Sequence, residues 1–422
     1  MAITNEFIAK IEGHGSLKID WDKETVKLNI HEGERLFEGI LVGRSAEEAP
    51  WITSRICGVC PIAHNLASLA AVEDAYGLKI SETAKLLRDL MQRGQMIQSH
   101  VLHLFFLALP DYIGIDRGTE LAKKEPKSFA KALALKELGD EIAFVVAGRN
   151  VHPITTAIGG FHKIPAKKDL GNLLKKLEET KKSAEWTAKF FSELKYPELK
   201  VDLELVAQKD GKIVNNKNAS VFIKEYKQNI EEELRDYSTA KFGKLQGREI
   251  MVGALARLAL AGKLASLKTV NKGNLTEAKL PGLGKIDFQN PFHNNFAQAL
   301  EILEFHQEAR EITEKLLGMN LTCDVGISPT SQVGYKGIGA VEAPRGGLYH
   351  EIHLDPASLG ASGKGTITYA NIITPTVQNL TSLEKSAQAL LYQTKNKEKK
   401  ERERLLNMLV RAYDPCITCA VH

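Results

Sequence analysis

The sequence predicts an α+β fold that is mainly helical. Long segments of helical periodicity recur between residues 64 and 413, whereas short alternating segments occupy the start of the chain and residues 352–373. The 422 residues are 43% hydrophobic and 26% charged, an ordinary globular composition that excludes collagen-like, disulfide-rich and wholly disordered classes. The length fits two or three domains or one large subunit. We expect a single domain over residues 1–422.

Each element is predicted from a local pattern. Alternation around a turn at 20–23 predicts strands at 16–19 and 25–30. Helical periodicity predicts helices at 64–76, from an N-cap at Ser81 to about 109 with Pro110 closing it, and at 127–146, 167–194, 295–319 and 379–413. Residues 197–245 are a candidate satellite or insertion region, with strands at 201–205 and 220–224 around a turn at 215–218. Residues 334–349 predict loop and short strand, and 352–354 with 366–373 predict a hairpin.

Charge and hydropathy restrict the partners. The net charge of +4 is small, and lysine and arginine are interleaved with acids, which does not indicate nucleic-acid binding. The longest apolar runs are interrupted by His103 and Arg257 and fall short of the roughly 20 residues that a membrane-spanning helix needs. The first residues lack the apolar segment of a secretory signal. We expect a cytoplasmic protein that binds neither nucleic acid nor a membrane.

The five cysteines are the most informative residues. Cys57 and Cys60 form one C-x-x-C pair, Cys416 and Cys419 form another near the opposite end, and Cys323 stands alone. Such a pair can place two thiolates on one soft metal ion. The spacing alone leaves open a thioredoxin-like redox pair, a structural zinc site and an iron–sulfur cluster. Cys323 is expected to be a buried structural thiol.

The residues around both pairs carry a family resemblance. The motif R-I-C-G-V-C-x-x-x-H begins at Arg55, and D-P-C-x-x-C-x-x-H begins at Asp414. Between and before them, in order, stand I-E-G-H at 11–14, R-L-F-E at 35–38 with G-R at 43–44, A-P-R-G at 343–346 followed by His350, and P-T-V-Q-N at 375–379. Together these motifs resemble the large, catalytic subunit of NiFe hydrogenases, and S-H-x-x-H at 99–103 resembles the soluble, NAD(P)-linked and sulfhydrogenase-like members. The resemblance implies a central helical bundle with small peripheral sheets.

The resemblance implies a metal centre, Ni-Fe(CN)2(CO), on the four paired cysteines. Cys57 and Cys416 would be terminal nickel ligands, and Cys60 and Cys419 would bridge nickel to iron. The soft thiolate donors suit both metals. No iron–sulfur cluster is expected on this chain, because only Cys323 remains outside the site.

The resemblance also assigns the surroundings of that centre. Pro344, Arg345 and Thr376 would surround the diatomic ligands, with the last two donating hydrogen bonds to cyanide nitrogens. Asp414 would hold Arg345 by a salt bridge. Ser99 stands where many relatives carry an acid that also pairs with this arginine.

Further assignments concern protons and histidines. Glu12 would relay protons from Cys416, and His64 would hydrogen-bond a bridging sulfur. His100 and His103 are interpreted as satisfied buried histidines.

A second, separate cation site is implied near the end of the chain. Glu38, the backbone carbonyl of Ile372 and His422 would bind Mg2+, or iron in some relatives. In this family a protease removes an extension after the final histidine, so a chain that ends at His422 is expected to be the mature form.

The implied function is the reversible heterolytic cleavage of H2 to protons and electrons. The Cys416 sulfur would take one proton at a site overhung by Arg345, and Glu12 would pass it outward. The electrons would leave to an iron–sulfur small subunit and on to NAD(P), through flavin- or NAD(P)-binding and further iron–sulfur subunits. Alternatives are a ferredoxin- or heterodisulfide-reductase-coupled hydrogenase, a non-catalytic scaffold related to a respiratory complex I subunit, and an unrelated four-cysteine zinc protein.

Overall fold

A ring of four long helices lies at the centre of the molecule. In ring order, each helix packs on the next and the last packs on the first: Glu82–Val101, Pro126–Ala147, Lys167–Ser192 and Asn294–Gly318. The computed structural model describes residues 3–261, 277–280, 282–323, 334–358 and 365–422. The prediction of a mainly helical α+β fold with a central bundle is confirmed.

The other helices surround this bundle. The longer ones are Pro61–Tyr76, Ala254–Ala261, Pro375–Gln393 and Lys399–Ala412. The short α-helices are Phe37–Leu41, Ala49–Thr53, Leu109–Ile113, Leu121–Lys124, Tyr226–Asn229 and Ile417–Ala420. Four single turns of 3-10 helix are Ala46–Glu48, Gly118–Glu120, Ile223–Glu225 and Pro291–His293. Among the described residues, no helix combines the length and the apolar character needed to cross a membrane.

The strands form small, separate sheets. An antiparallel sheet at the start of the chain contains Ile3–Phe7, Gly15–Asp20 and Thr25–Ile30, and a second contains Lys336–Ala343, Gly346–Leu354 and Ile367–Ile373. A four-stranded sheet has the order Ile250–Met251, Glu204–Lys209, Lys212–Asn215 and Ser220–Phe222. Two-stranded pairs are Ile230–Arg235 with Ser238–Leu245, Glu277–Leu280 with Gly284–Asp287, and Thr156–Ala157 with Gly160–Phe161.

The predicted end of the helix that begins after Ser81, at about residue 109 with Pro110 closing it, is wrong. The Ser81 side chain accepts a hydrogen bond from Ala84 N, as an N-cap should. The chain then continues beyond 101 as a π-helix, Leu102–Ala108, and as the short helix Leu109–Ile113. Pro110 lies in the first turn of that short helix, where its missing N–H costs nothing, so it does not end the helical path.

Two strand predictions need correction. Residues 334–349 lie mostly in two long strands and contain little loop. The glycines have another purpose: Gly337 and Gly339 lie directly on the Pro61–Tyr76 helix. A Cβ at these positions would stand 1.9 and 2.0 Å from helix carbonyl oxygens. A sequence that looks like a glycine-rich loop is therefore a strand in close contact with a helix. In the 197–245 region, the Asn215 turn joins Lys212–Asn215 to Ser220–Phe222, and Asp210 with Gly211 makes the preceding tight turn.

Candidate metal centre

The fold brings both cysteine pairs into one buried cluster. Cys60 immediately precedes the Pro61–Tyr76 helix, and Cys416 immediately precedes the short Ile417–Ala420 helix. The Cys57 and Cys416 sulfurs are 3.3 Å apart, Cys60 and Cys419 are 3.2 Å apart, and all four sulfurs lie within 4.8 Å of one another. Neither pair is an isolated redox pair, because each sulfur has a neighbour from the opposite end of the chain.

One arginine ties the two cysteine loops together. Arg35 Nη2 donates to the carbonyl oxygen of Ile56, at 2.6 Å, and to that of Thr418. The Arg35 backbone N–H also donates to the carbonyl oxygen of Val421 at 3.1 Å. The guanidinium thus contacts the residue before Cys57 and the residue before Cys419. Arg35 stands in the R-L-F-E motif, but the sequence predicts no role for it, because a bridge between distant loops has no local signal.

The electrostatics of the cluster favour a bound cation. The backbone N–H groups of Val59 and Cys60 donate to Cys57 Sγ at 3.2 and 3.3 Å, and hydrogen bonds, chiefly with Cys416, hold the pKa of Cys57 well below its ordinary value. Burial raises the pKa of Cys416 and of Cys419 well above the ordinary thiol value. Four thiolates in this volume therefore require positive charge among them. The donor set fits soft metals such as nickel and low-spin iron.

Arg345 lies beside the sulfurs and is held as expected by Asp414. Arg345 Nη2 is 2.8 Å from Asp414 Oδ1, and Nε donates to the Asp414 carbonyl oxygen at 2.7 Å. Nη1 lies 3.4 Å from Ser99 Oγ, so Ser99 does occupy the place of a second partner. Asp414 itself has φ of 51°, a left-handed conformation that aspartate tolerates better than most residues. The conformation lets one residue present both its carbonyl and its carboxylate to the guanidinium.

Two further predicted residues adjoin Arg345 and Cys416. Pro344 is buried in the two-residue turn that joins Lys336–Ala343 to Gly346–Leu354. Thr376 Oγ1, in the first turn of the Pro375–Gln393 helix, accepts a hydrogen bond from Cys416 N at 3.0 Å. Its hydroxyl hydrogen is thereby free to point elsewhere.

Glu12 lies against the second cysteine segment. Residue 12 forms a parallel backbone bridge with Cys416, and its carbonyl oxygen accepts from Ile417 N at 3.1 Å. Its carboxylate accepts from Thr418 N at 3.1 Å and from Thr418 Oγ1. The neighbouring Gly13 has φ of 84°, and a Cβ there would be 2.6 Å from Ile417 Cβ, so only glycine fits this contact.

A buried hydrogen-bonded chain leads away from the sulfurs through two histidines. His64 Nε2 is 3.6 Å from Cys419 Sγ, and His64 Nδ1 is 3.1 Å from His350 Nε2. His350 Nδ1 is 2.9 Å from Ser68 Oγ, which is 2.8 Å from Thr53 Oγ1. Burial lowers the pKa of His64 to about 3, so the ring is neutral and carries one N–H. The sequence indicated His64 but not the residues behind it.

The predicted second cation site also converges. His422 Nε2 is 2.8 Å from the Ile372 carbonyl oxygen, and its Nδ1 is 2.7 Å from the Cys419 carbonyl oxygen. Glu38 Oε1 accepts from Ile372 N at 2.7 Å and from Asn371 Nδ2 at 3.0 Å. The Glu38 carboxylate, the Ile372 carbonyl group and the His422 imidazole thus lie together around Ile372.

His100 and His103 are buried, as predicted, but only one is fully satisfied. His103 Nδ1 is 2.5 Å from Gln298 Oε1, and its Nε2 is 2.6 Å from the Arg411 carbonyl oxygen. His100 Nε2 is 2.8 Å from Glu301 Oε2, while its Nδ1 has no hydrogen-bond partner. The prediction of a buried structural thiol at Cys323 is wrong, because Cys323 is exposed, in the segment that follows the Asn294–Gly318 helix.

Four buried cysteine sulfurs within 4.8 Å of one another define a protein with a candidate soft-metal site that joins both ends of the chain. Comparison with known proteins specifies the family. The family model described as nickel-dependent hydrogenase matches residues 35–141 and 207–422. The chain belongs to the nickel-dependent hydrogenase family and is a large, catalytic subunit of it, an oxidoreductase that acts on H2.

Individual relatives agree with this assignment. The chain is 34% identical over 443 residues to sulfhydrogenase 1 subunit alpha of Pyrococcus furiosus, covering 100% of this chain and 98% of the relative. It is 27% identical over 469 residues to the NAD-reducing hydrogenase HoxS subunit beta of Cupriavidus necator, covering 98% of this chain and 93% of the relative. A crystal structure of an NAD+-reducing nickel–iron hydrogenase in the H2-reduced state has the same fold, with a TM-score of 0.83, 23% identity and full coverage of both chains.

Proposed function

We propose that this subunit cleaves H2 heterolytically and reversibly, at a Ni-Fe(CN)2(CO) centre on Cys57, Cys60, Cys416 and Cys419. The observation that supports it most is the convergence of four buried sulfurs from both ends of the chain, with Arg345 beside them. Cys57 and Cys416 would be terminal nickel ligands, and the other two would bridge to iron. When bound, the centre supplies an electrophile that binds and polarises H2.

Arg345 is proposed to hold the open side of the centre. Its guanidinium is fixed by Asp414 and keeps a permanent positive charge over the site. With Thr376, it would donate hydrogen bonds to cyanide nitrogens, while Pro344 packs beside the diatomic ligands. Both side chains are buried and held by hydrogen bonds to the Asp414–Cys416 segment.

Protons are proposed to leave through the Cys416 sulfur and Glu12. A thiolate next to a cation is deprotonated yet able to accept a proton during turnover. Glu12 forms a parallel backbone bridge with Cys416, and its carboxylate is hydrogen-bonded to Thr418. A rotation of that carboxylate would carry the proton from the cluster side to the surface side of the segment.

His64 is proposed to donate its Nε2–H to the Cys419 sulfur. A metal-bound thiolate is only an acceptor, so the single N–H of the neutral ring must face it. His64 Nδ1 then accepts from His350 Nε2, and His350 Nδ1 accepts from the Ser68 hydroxyl. The hydrogen bond at each ring therefore fixes which nitrogen of the next ring carries the hydrogen.

We propose that Glu38, Ile372 and His422 hold Mg2+ or iron. The Glu38 carboxylate, the Ile372 carbonyl oxygen and the His422 imidazole would be its protein ligands, and the hydrogen bond of 2.8 Å between His422 Nε2 and the Ile372 carbonyl oxygen brings two of them together. A cation here would join the end of the chain to the sheet strand Ile367–Ile373. It would thereby hold the Cys419 segment in place.

The relay can be tested with Glu12→Gln. A glutamine keeps the acceptor oxygen for Thr418 N but cannot carry a proton, so turnover in H2 oxidation is expected to fall about 100-fold or more while nickel content stays unchanged. Glu32→Gln is the matched control, because Glu32 binds the adjacent His14 N–H and not the cysteine segment. Normal turnover of Glu12→Gln would contradict the relay.

Electrons are proposed to pass to an iron–sulfur small subunit. Gly58 is exposed between the two buried cysteines of the first pair, so the sulfurs lie directly beneath the surface there. His152 Nδ1 is 2.9 Å from the carbonyl oxygen of Ser54, four residues before Gly58, and Val151 and Ile154 in the same segment are exposed. A partner cluster must come close to the centre, and the exposed position at Gly58 is the place we propose for that approach.

The acceptor is proposed to be NAD(P), reached through flavin- or NAD(P)-binding and further iron–sulfur subunits of a cytoplasmic complex. The support is the similarity to relatives named as sulfhydrogenase and NAD-reducing hydrogenase subunits. The natively purified complex is expected to reduce NAD+ or NADP+ under H2 at a rate comparable to that with an artificial dye. Reduction of ferredoxin alone, with no reduction of either nucleotide, would favour the ferredoxin-coupled alternative.

A further inference from the structure

Arg345 stands at the tip of a two-residue hairpin. The strands Lys336–Ala343 and Gly346–Leu354 pair up to Ala343 and Gly346, which leaves Pro344 and Arg345 as the turn. Hairpin tips are usually exposed and mobile. This one is buried beside the cysteine cluster, and the proposed role of Arg345 requires its guanidinium to stay in one position.

A second buried arginine holds this turn. Arg257, on the Ala254–Ala261 helix, donates Nη1–H to the Ala343 carbonyl oxygen and Nη2–H to the Pro344 carbonyl oxygen, both at 2.9 Å. These carbonyls belong to the two residues immediately before Arg345. Asn379 adds a longer contact, with Nδ2 at 3.5 Å from the Arg345 carbonyl oxygen.

The remaining donors of Arg257 are used as well. Nε and Nη2 donate to the two carboxylate oxygens of Glu301 at 2.6 and 2.7 Å, and Nη1 donates to Glu342 Oε2 at 2.8 Å. All five N–H groups of the guanidinium therefore have an acceptor, on one helix, one strand and the hairpin turn. Lysine has only three N–H groups on one nitrogen and cannot reproduce this fork.

The surrounding charges fix the guanidinium in place. Burial alone would raise the pKa of Glu301, but Arg257 and His100 lower it to about 2, so Glu301 is ionised. Glu301 also accepts from His100 Nε2 at 2.8 Å, which links the arginine to the Glu82–Val101 helix of the central bundle. The turn is thus connected through Arg257 to two helices of the central bundle.

We propose that Arg257 is a positioning residue for Arg345: it clamps the backbone of the Pro344–Arg345 turn and so sets the place of the guanidinium over the metal centre. The proposal rests on the proposed role of Arg345. The hydrogen bonds of Arg257 within the described residues go to Glu301, Glu342 and the turn, and none goes to a cysteine sulfur. Its effect on catalysis runs through the turn, and small displacements of a positioned group can lower a rate by about 100-fold.

Arg257→Lys is the direct test, because a cavity of about 280 Å³ lined by Arg257, Glu301 and Glu342 lets water complete the hydrogen bonds of the lysine. In the purified complex, turnover is expected to fall about 10- to 100-fold with nickel content unchanged. The infrared stretching bands of the metal-bound cyanides are expected to shift, in the same direction as in Arg345→Lys, because the same hydrogen bonds are disturbed.

Arg88→Lys is the matched control. Arg88 is equally buried, pairs with both carboxylate oxygens of Glu73 at 2.6 and 2.7 Å and donates to the Ala157 carbonyl oxygen, but it does not contact the turn. It is expected to lower the melting temperature without moving the cyanide bands. If Arg257→Lys fails to mature, Arg257→Gln with Glu342→Gln replaces it, since that pair keeps the net charge of the cluster.

Coupling separates a positioning role from a merely structural one. In the Arg345→Lys background, Arg257→Lys is expected to cost less than threefold further turnover, because the group it positions is already gone. The proposal would be overturned if the turnover losses of the two single variants multiplied in the double variant. It would also be overturned if Arg345→Lys shifted the cyanide bands and Arg257→Lys did not. Unmoved bands in Arg345→Lys itself would instead refute the proposed role of Arg345, and this proposal with it.

Discussion

Replacing Cys57 with serine is expected to abolish H2 oxidation and to remove nickel from the purified complex. The Cys57 sulfur is buried 3.3 Å from Cys416 Sγ and already accepts two backbone N–H groups, a geometry that suits a thiolate. A serine oxygen is a hard, weakly acidic donor and a poor ligand for a soft metal. The loss should exceed what a single missing hydrogen bond would cause, because the site loses one of four ligands.

Nickel per chain, by metal analysis, is the measurement for this prediction. Cys323→Ser is the matched control: the thiol is exposed, and surface substitutions usually change stability by less than about 0.5 kcal/mol. The control should retain full nickel and full activity. Wild-type nickel content and turnover in Cys57→Ser would contradict the four-cysteine site.

Arg345→Lys is expected to lower turnover about 100- to 1,000-fold while nickel stays at one per chain. The size follows from removing a preorganised, permanently charged group from a water-excluded site. A lysine nitrogen cannot bind the Asp414 carbonyl and carboxylate side by side as Nε and Nη2 do, so its charge would sit elsewhere.

Steady-state H2 oxidation with an artificial dye, together with nickel analysis, measures this effect apart from electron transfer to other subunits. Arg55→Lys is the control, since Arg55 is also next to a cysteine pair but is exposed. The control is expected to stay within twofold of the wild type. Turnover of Arg345→Lys at the control's level would mean that the guanidinium has no special role at the centre.

Strong periodicity and motif chemistry were sufficient for much of the fold and site. The helices near 64–76, 127–146, 167–194 and 295–319 are amphipathic or bounded by proline and glycine signals, and each lies within a few residues of its prediction. The spacing of the cysteines alone left several kinds of site open, and the family resemblance implied that both cysteine segments share one site. The same resemblance implied the Arg345–Asp414 ion pair.

One failure of the strand predictions has a tertiary cause and the other a local one. Gly337 and Gly339 resemble a loop, yet they are strand residues whose missing side chains let a helix approach, and only the tertiary contact reveals this. The predicted strand at 201–205 differs from the observed strand Glu204–Lys209. The asparagine-rich segment at 215–218 suggests one turn, whereas the chain also turns at Asp210 and Gly211.

The supporting polar network was also beyond sequence reasoning. Arg35, Arg257 and His350 act between elements that are far apart in the chain. Arg35 and His350 stand in the family motifs, but a motif does not show which distant groups its residues contact. Arg257 was noticed only because it interrupts an apolar run. A charged residue in the middle of such a run is a signal for a buried partner, and that signal could have been used.

Metal analysis combined with infrared spectroscopy on the natively purified complex tests the central claim most directly. The account predicts nickel in step with the chain and stretching bands of metal-bound cyanide and carbon monoxide. Zinc alone, with no such bands in a sample matured in its own host, would contradict it and would leave a structural four-cysteine site.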